Sequence, residues 1–296
     1  MQLWLILNRR LVFKLSSAML GPVEIQELLS KLDLKPTKKL GQNFVHDANT
    51  VRKIVKSAQL TAGDCVLEVG PGLGSLTLGL LPVVSKVIAV DIDQRLLDQL
   101  PITVNERAPE FLDCLVAIHA DALELKSADL SIQPTALVAN LPYNVSVPVI
   151  LTLLSEFPTI KKLLVMVQSE VADRLAASPG TASYGAPSVK MQWFMDVQRL
   201  GNVPRPVFIP VPNVDSGLVL GISKAQPVTH VSREKVFKVI DAAFNQRRKM
   251  LRSALATWAG NATKANTILE NAGIDPKLRG ERLSINQYVA IAEQQS

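Results

Sequence analysis

Five short segments, Cys65–Val69, Val87–Asp91, Leu115–Ala120, Ala136–Asn140 and Leu163–Gln168, are aliphatic over most of their length, and each is followed by a turn and a stretch of helical character. A strand that is apolar on both faces has to be covered on both faces, and alternation with helices is how a parallel sheet achieves that. The expected fold class is therefore α/β, a doubly wound, Rossmann-like sheet that is mostly parallel. The proline-dense run from Val197 to Ile222 has apolar strand candidates at either end. Proline confines strands to edges because it has no N–H to donate to a ladder, so an antiparallel hairpin is expected to close one edge. After Pro227 the pattern is helical throughout, and Phe244, Leu251, Leu255 and Trp258 recur at core-facing spacing on one predicted helix. This divides the chain into an N-terminal extension (1–18), an α/β domain (19–227) and a small C-terminal helical domain (228–296).

Apolar residues make up 48% of the 296 positions and charged residues 20%, a balance that excludes a disordered chain. The formal net charge of +6 favours a polyanionic partner, since Lys and Arg that neutralise phosphates release condensed counterions. Cys65 and Cys114 lie singly inside apolar runs, and the histidines His46, His119 and His230 are scattered. No metal site and no disulfide are expected from that spacing, and a reducing cytoplasm fits it. The opening LWLIL burst precedes Asn8, Arg9 and Arg10, the reverse of a signal peptide's order. No apolar run approaches a membrane span, so no membrane partner is expected. Met19 reads as an alternative initiator, because the recognisable pattern begins only after residue 18.

Upstream of the first strand, Pro22–Leu32 has helical periodicity and Pro36 forces an extended connection into the basic loop KPTKKLGQNFVHD. Asp47 is the expected N-cap of a helix whose Val51, Ile54, Val55 and Ala58 recur at i, i+3, i+4 and i+7.

The first strand ends in Glu68-Val69-Gly70-Pro71-Gly72-Leu73-Gly74. A glycine-rich turn from strand to helix admits a ligand where a Cβ would clash. The spacing G-x-G-x-G, with Ser75 at the last position of the dinucleotide fingerprint, disfavours a nicotinamide cofactor. Asp91, at the tip of the second strand, stands where an acid can accept both hydroxyls of a ribose. Asp121, just past the third, is placed to accept from an adenine amine. Together these describe a pocket for an adenosine with an uncharged link to its tail. S-adenosylmethionine fits it better than a nucleotide because there is no Walker lysine.

The fourth strand ends in Asn140-Leu141-Pro142-Tyr143. With the glycine turn and the two acids, this segment resembles the adenine N6-methyltransferases. The Gly41-Gln42-Asn43-Phe44 loop, the PxPxVDS segment from Pro210 to Ser216 and FNQRRKMLRSAL narrow the resemblance to the small-subunit ribosomal RNA adenine dimethyltransferases, the kasugamycin-resistance family, over nearly the whole chain from about Leu20. The resemblance implies dimethylation of two adjacent adenines near the 3′ end of 16S rRNA in the immature small ribosomal subunit. S-adenosylmethionine would be the donor and S-adenosylhomocysteine the product, and a monomer is expected. It further implies that Asn43, Val45, Gly70, Asp91, Asp121 and Asn140 hold the cofactor. Asp91 stands where Glu is frequent and Val45 where Leu is frequent, so the reach to the ribose is one methylene shorter.

The chemistry explains the catalytic residue types. The amine of adenine is a poor nucleophile because its lone pair is delocalised into the ring. The side-chain oxygen of Asn140 and the main-chain carbonyl of Leu141 are suited to accept its two N–H bonds, and Pro142 holds the bend. Tyr143 would stack on the extruded base, worth roughly 1–3 kcal/mol, with Phe208 placed by the resemblance near the other face. Arg247, Arg248, Lys249 and Arg252, on the predicted helix, form a phosphate clamp for folded RNA, reinforced by Lys38, Lys39, Arg279 and Arg282. Two other readings fit parts of the pattern: a macrolide-resistance 23S rRNA adenine methyltransferase, in which Ile usually replaces Leu141, and a ribosome-assembly factor without turnover.

Overall fold

The computed structural model describes residues 19–34 and 42–295. The extension 1–18, Lys38, Lys39 and Gly41 lie outside the described residues. In chain order, helix α1 (Pro22–Lys31) leads to strand β1 (Phe44–Val45), α2 (Ala48–Ser57), β2 (Cys65–Val69) and α3 (Ser75–Leu80). Then come β3 (Lys86–Asp91), α4 (Gln94–Arg107), β4 (Leu115–His119), β5 (Ala136–Asn140), α5 (Ser146–Glu156), β6 (Lys162–Gln168), α6 (Ser169–Leu175) and α7 (Ala186–Phe194). The remainder is β7 (Met195–Val203), β8 (Phe208–Ile209), β9 (Ser216–Ser223), α8 (Arg233–Asn245), α9 (Leu251–Ala254), α10 (Ala256–Ala259), α11 (Ala262–Asn271) and α12 (Ile285–Glu293).

All five predicted strands form, in a seven-stranded sheet of order β4-β3-β2-β5-β6-β9-β7. Strands β2 to β6 pair in parallel. Every residue of β2 is buried, and so are the four residues before Asn140 in β5, as strands covered on both faces must be. β4 is half exposed, which its position at the sheet margin explains. β9 runs antiparallel to β6, Leu164 opposite Leu220, and β7 lies outside it, so the proline-dense run does close an edge. Between those strands the chain makes β8, which pairs antiparallel with β1, Val45 opposite Phe208. Asp47 caps α2 by accepting from Thr50 N at 2.7 Å.

The described chain forms two compact units. One takes residues up to Ala172 and Arg199–Ile222; the other takes Asp173–Gln198 and residues from Ser223 onward. Composition marks the change of character near residue 228 but gives no sign of the 173–198 segment. That segment joins the second unit through aromatic packing: Trp193 and Phe194 stand edge-on to Phe237 at 6.1 and 6.2 Å, and Tyr184 to Phe244 at 6.3 Å.

The expectation of one helix carrying the basic cluster is not met. α8 ends at Asn245, so Arg247, Arg248 and Lys249 lie in the connection that follows it, and Arg252 lies on the short α9. Backbone bonds from elsewhere capture the chain there, Leu251 N donating to Leu278 O at 2.7 Å and Arg252 N to Pro276 O at 3.2 Å. Among the described residues no helix is long and apolar enough to cross a membrane.

Candidate active site

The strand order runs outward from β2 to β4 on one side and from β5 to β6 on the other, so the direction of winding reverses between β2 and β5. Open α/β sheets bind ligands at the carboxyl ends of their strands at that reversal. A cleft with about 730 Å³ of open space lies there, lined by Asn43, Val45, Glu68, Gly70, Asp91 and Asn140 among others.

Gly70 and Gly72 have φ of +67° and +58°, in the left-handed region that favours glycine. A Cβ on Gly72 would come within 2.9 Å of the Phe44 ring, so this glycine also permits the β1 segment to close over the turn. Gly70 N donates to Val90 O at 2.9 Å, tying the turn to β3. The two following elements deliver the acid: Asp91 is the last residue of β3, and its Oδ1 accepts from Asp93 N at 2.9 Å. Burial raises the Asp91 carboxyl from its ordinary value, opposed by the N–H groups of Asp93 and Gly72.

Asn140 ends β5 and crosses to the β1 side of the cleft. Its Nδ2 donates to the Asn43 carbonyl at 2.9 Å. A carbonyl can only accept, so the amide nitrogen must face Asn43 and the side-chain oxygen Oδ1 is left as the acceptor. Leu141 is buried and its N donates to Met166 O at 3.0 Å, which fixes the peptide plane on one side of the motif. Tyr143 is half-buried, with its Oη 2.8 Å from Ser216 Oγ. Burial raises the phenol's pKa, and the nearby Asp215 charge adds to it against the Ser216 bond. At the site, then, polar acceptors face a turn in which Gly70 leaves open the space a Cβ would take, while Pro142 lines the cleft and Tyr143, next in the chain, does not.

The structure brings Asn43, Val45, Gly70, Asp91, Asn140 and Pro142 together around the cleft. It does not bring Asp121 there: its Oδ1 accepts from Leu123 N at 2.8 Å in the turn after β4, and it is not among the lining residues. Phe208 is 1% exposed, packed in the core cluster and held by its pairing with Val45. Arg248, Lys249 and Arg252 are exposed, whereas Arg247 is engaged within its own unit, Nε 2.9 Å from Glu281 Oε2 and Nη2 donating to Ala182 O at 2.6 Å.

Glu68 lines the cleft without having been singled out as a site residue. It is 1% exposed, and burial pushes its carboxyl up to about 8. The Thr77 hydroxyl, donating at 2.7 Å, works the other way, and the Asp91 charge adds to the rise. The signal was available: Glu68 is the one charged residue in the otherwise aliphatic CVLEV. Gln42, 3.4 Å from Asp93, also lines the cleft and carried no such signal.

The ribosomal RNA adenine dimethylase family matches residues 34–295. The ribosomal RNA small subunit methyltransferase A of Corynebacterium diphtheriae is 57% identical, covering 94% of this chain and 95% of its own. The protein of the same name from Streptomyces griseus is 55% identical, covering 93% and 95%. Among solved structures, a dimethyladenosine transferase from Plasmodium falciparum aligns with a TM-score of 0.70 at 25% identity, over 84% of this chain and 95% of that one. The 23S rRNA methyltransferase ErmE aligns with a TM-score of 0.62 at 25% identity, over 85% and 99%. With nearly its whole described length matched, the chain belongs to the ribosomal RNA adenine dimethylase family.

Proposed function

We propose that the protein transfers methyl groups from S-adenosylmethionine to the N6 amines of two adjacent adenines near the 3′ end of 16S rRNA, acting on the immature small ribosomal subunit. The names of the curated relatives support the small-subunit RNA over the 23S alternative. The single observation that carries the chemistry is the Asn140 to Asn43 hydrogen bond, which aims an amide oxygen as an acceptor at the head of the Asn-Leu-Pro-Tyr segment.

The cleft suits the proposed donor. Gly70 leaves room for its tail, Asp91 accepts from its ribose, and Asn43, Val45 and Asn140 complete the wall. When bound, it supplies a methyl carbon made electrophilic by a positive sulfur. Asn140 Oδ1 and the Leu141 carbonyl accept the two N–H bonds of the adenine amine, drawing the nitrogen toward a tetrahedral form with its lone pair free. Tyr143 stacks on the base, and that contact offsets much of the few kcal/mol of unstacking. No general base is needed, because the amine releases its proton after attack. Catalysis then rests on position and orientation. Arg248, Lys249 and Arg252 contribute phosphate contacts on the second unit.

The test uses immature small subunits and methyl-labelled S-adenosylmethionine. Label is expected in N6,N6-dimethyladenine of 16S rRNA, and its absence from adenine overturns the assignment. Asn140→Ala is expected to lower kcat by about 100-fold or more, the scale of losing one aligned polar group. RNA affinity should stay within about twofold; an unchanged rate removes Asn140 from the mechanism.

A further inference from the structure

A second cleft, with about 660 Å³ of open space, lies at the ends of β6 and β9, walled by Gln168, Ser169 and Glu170 on one side and by Arg205, Asn213 and Asp215 on the other. β6 is parallel to β5 and paired with it, so Gln168, its last residue, ends at the same edge of the sheet as Asn140. Gln168 stands opposite Ser216 in the ladder, and Ser216 Oγ is the group that holds Tyr143 Oη at 2.8 Å. The cleft therefore begins one residue from the partner of the ring on which the target base stacks.

Its walls are fastened. Ser169 N donates to Asp215 O at 2.9 Å, and Arg205 Nη1 donates to Asn213 O at 3.2 Å. The charge selects the ligand class. Arg205 stands 3.7 Å from Asp215, and Arg199 Nη2 donates to the lining Ser169 Oγ at 2.8 Å while Glu170 adds a second carboxylate, so the cations here are matched by carboxylates and leave no net positive charge to draw a phosphate. The amides of Gln168 and Asn213 instead offer both donors and acceptors, the complement of a nucleobase edge that carries an exocyclic amine.

We infer that this cleft receives the base flanking the target adenine, one with an exocyclic amine, while the target itself lies against Tyr143. The inference rests on the proposed function and deepens it, since of two adjacent adenines only one can occupy the catalytic segment at a time.

The test uses immature small subunits reconstituted with 16S rRNA in which one of the two adenines is replaced, leaving a single target. For the wild-type protein, uridine at the flanking position is expected to lower kcat/KM about tenfold, the scale of one base-edge recognition. Cytidine, which keeps an exocyclic amine, should lower it less. Gln168→Ala and Asn213→Ala should show the tenfold loss with adenine in place and no further loss with uridine. A wild-type rate indifferent to the flanking base overturns the inference, and so does equal sensitivity to uridine in wild type and variants. Affinity of the variants for S-adenosylhomocysteine, by calorimetry, should stay within about twofold; a larger fall means that these side chains support the fold and also overturns it. Failure of the proposed function reads differently, as no label in adenine from wild-type protein on unaltered subunits.

Discussion

Glu68 shows how much chemistry one buried side chain can carry without belonging to a recognised motif. Its carboxyl holds a proton up to about pH 8 in the folded chain, against an ordinary value of 4.5, because burial disfavours the charge. The unfolded chain releases that proton near pH 4.5. Between the two values the folded state alone is protonated, so this residue's contribution to stability falls as pH rises from about 4.5 to about 8. Glu68→Gln keeps an acceptor for the Thr77 hydroxyl and removes the titration. The variant should match wild type near pH 4.5 and exceed it near pH 9 by on the order of 2–4 kcal/mol. Urea unfolding at both pH values checks this, and parallel pH profiles for the two proteins would refute it. A lone acid in an aliphatic strand is visible in the sequence, but its neighbour Thr77 and its place in the cleft are set by how the turn after β2 folds back. Asp121 is the converse. Its position after a strand looks the same as that of Asp91, and both carboxylates accept from the N–H two residues on, yet only Asp91 lines the cleft.

At the scale of elements, the strands and the Asp47 cap of α2 were legible, and the end of α8 was not. A run that is aliphatic on both faces has few other places to go, which is why β2, β3, β5 and β6 form as their composition predicts. The 233–260 segment keeps a helical period throughout, yet tertiary hydrogen bonds to Pro276 and Leu278 break it between α8 and α9, and nothing local signals them. The break separates the roles of adjacent arginines. Arg247 pairs with Glu281 and Ala182, whereas Arg248 is exposed. Arg247→Ala should lower stability by about 1 kcal/mol, the pair being partly exposed. Its effect on RNA affinity should be smaller than that of Arg248→Ala. Arg248→Ala should leave stability unchanged and reduce the salt dependence of RNA binding by about 0.7–0.9 in log–log slope, the loss of one phosphate contact. Filter binding over a salt series with thermal melts distinguishes the two, and equal salt slopes would return Arg247 to the RNA surface.

In the sheet as a whole, the two edges do different work. The carboxyl edge carries Gly70, Asp91, Asn140 and Gln168, and it can be anticipated from sequence because each residue ends a strand or directly follows one. The amino edge is held by a cluster that no motif announces: Asp64 before β2, Thr135 before β5 and Lys162 at the start of β6. Asp64 Oδ2 accepts from Lys162 Nζ at 2.9 Å and from Thr61 N at 2.7 Å, and its Oδ1 accepts from the Thr135 hydroxyl at 2.8 Å. Burial works to raise this carboxyl, but the bonds from Lys162, Thr61 and Thr135 outweigh it and hold it at about 2. A lowered carboxyl stabilises the fold fully above its ordinary value of 3.8 and loses that contribution as pH falls toward 2. These bonds clamp β2, β5 and β6, three neighbours in the sheet, at the end opposite the cleft. Asp64→Ala should therefore destabilise the protein by about 2–4 kcal/mol at pH 7, because Lys162 and Thr135 lose their shared partner. The difference from wild type should shrink between pH 4 and pH 2, while methyl transfer per folded molecule stays unchanged at neutral pH. Denaturant unfolding across that range, with initial rates at pH 7, decides it: a fall in rate at full folding would mean that the clamp sets the geometry of the distant edge as well as its stability.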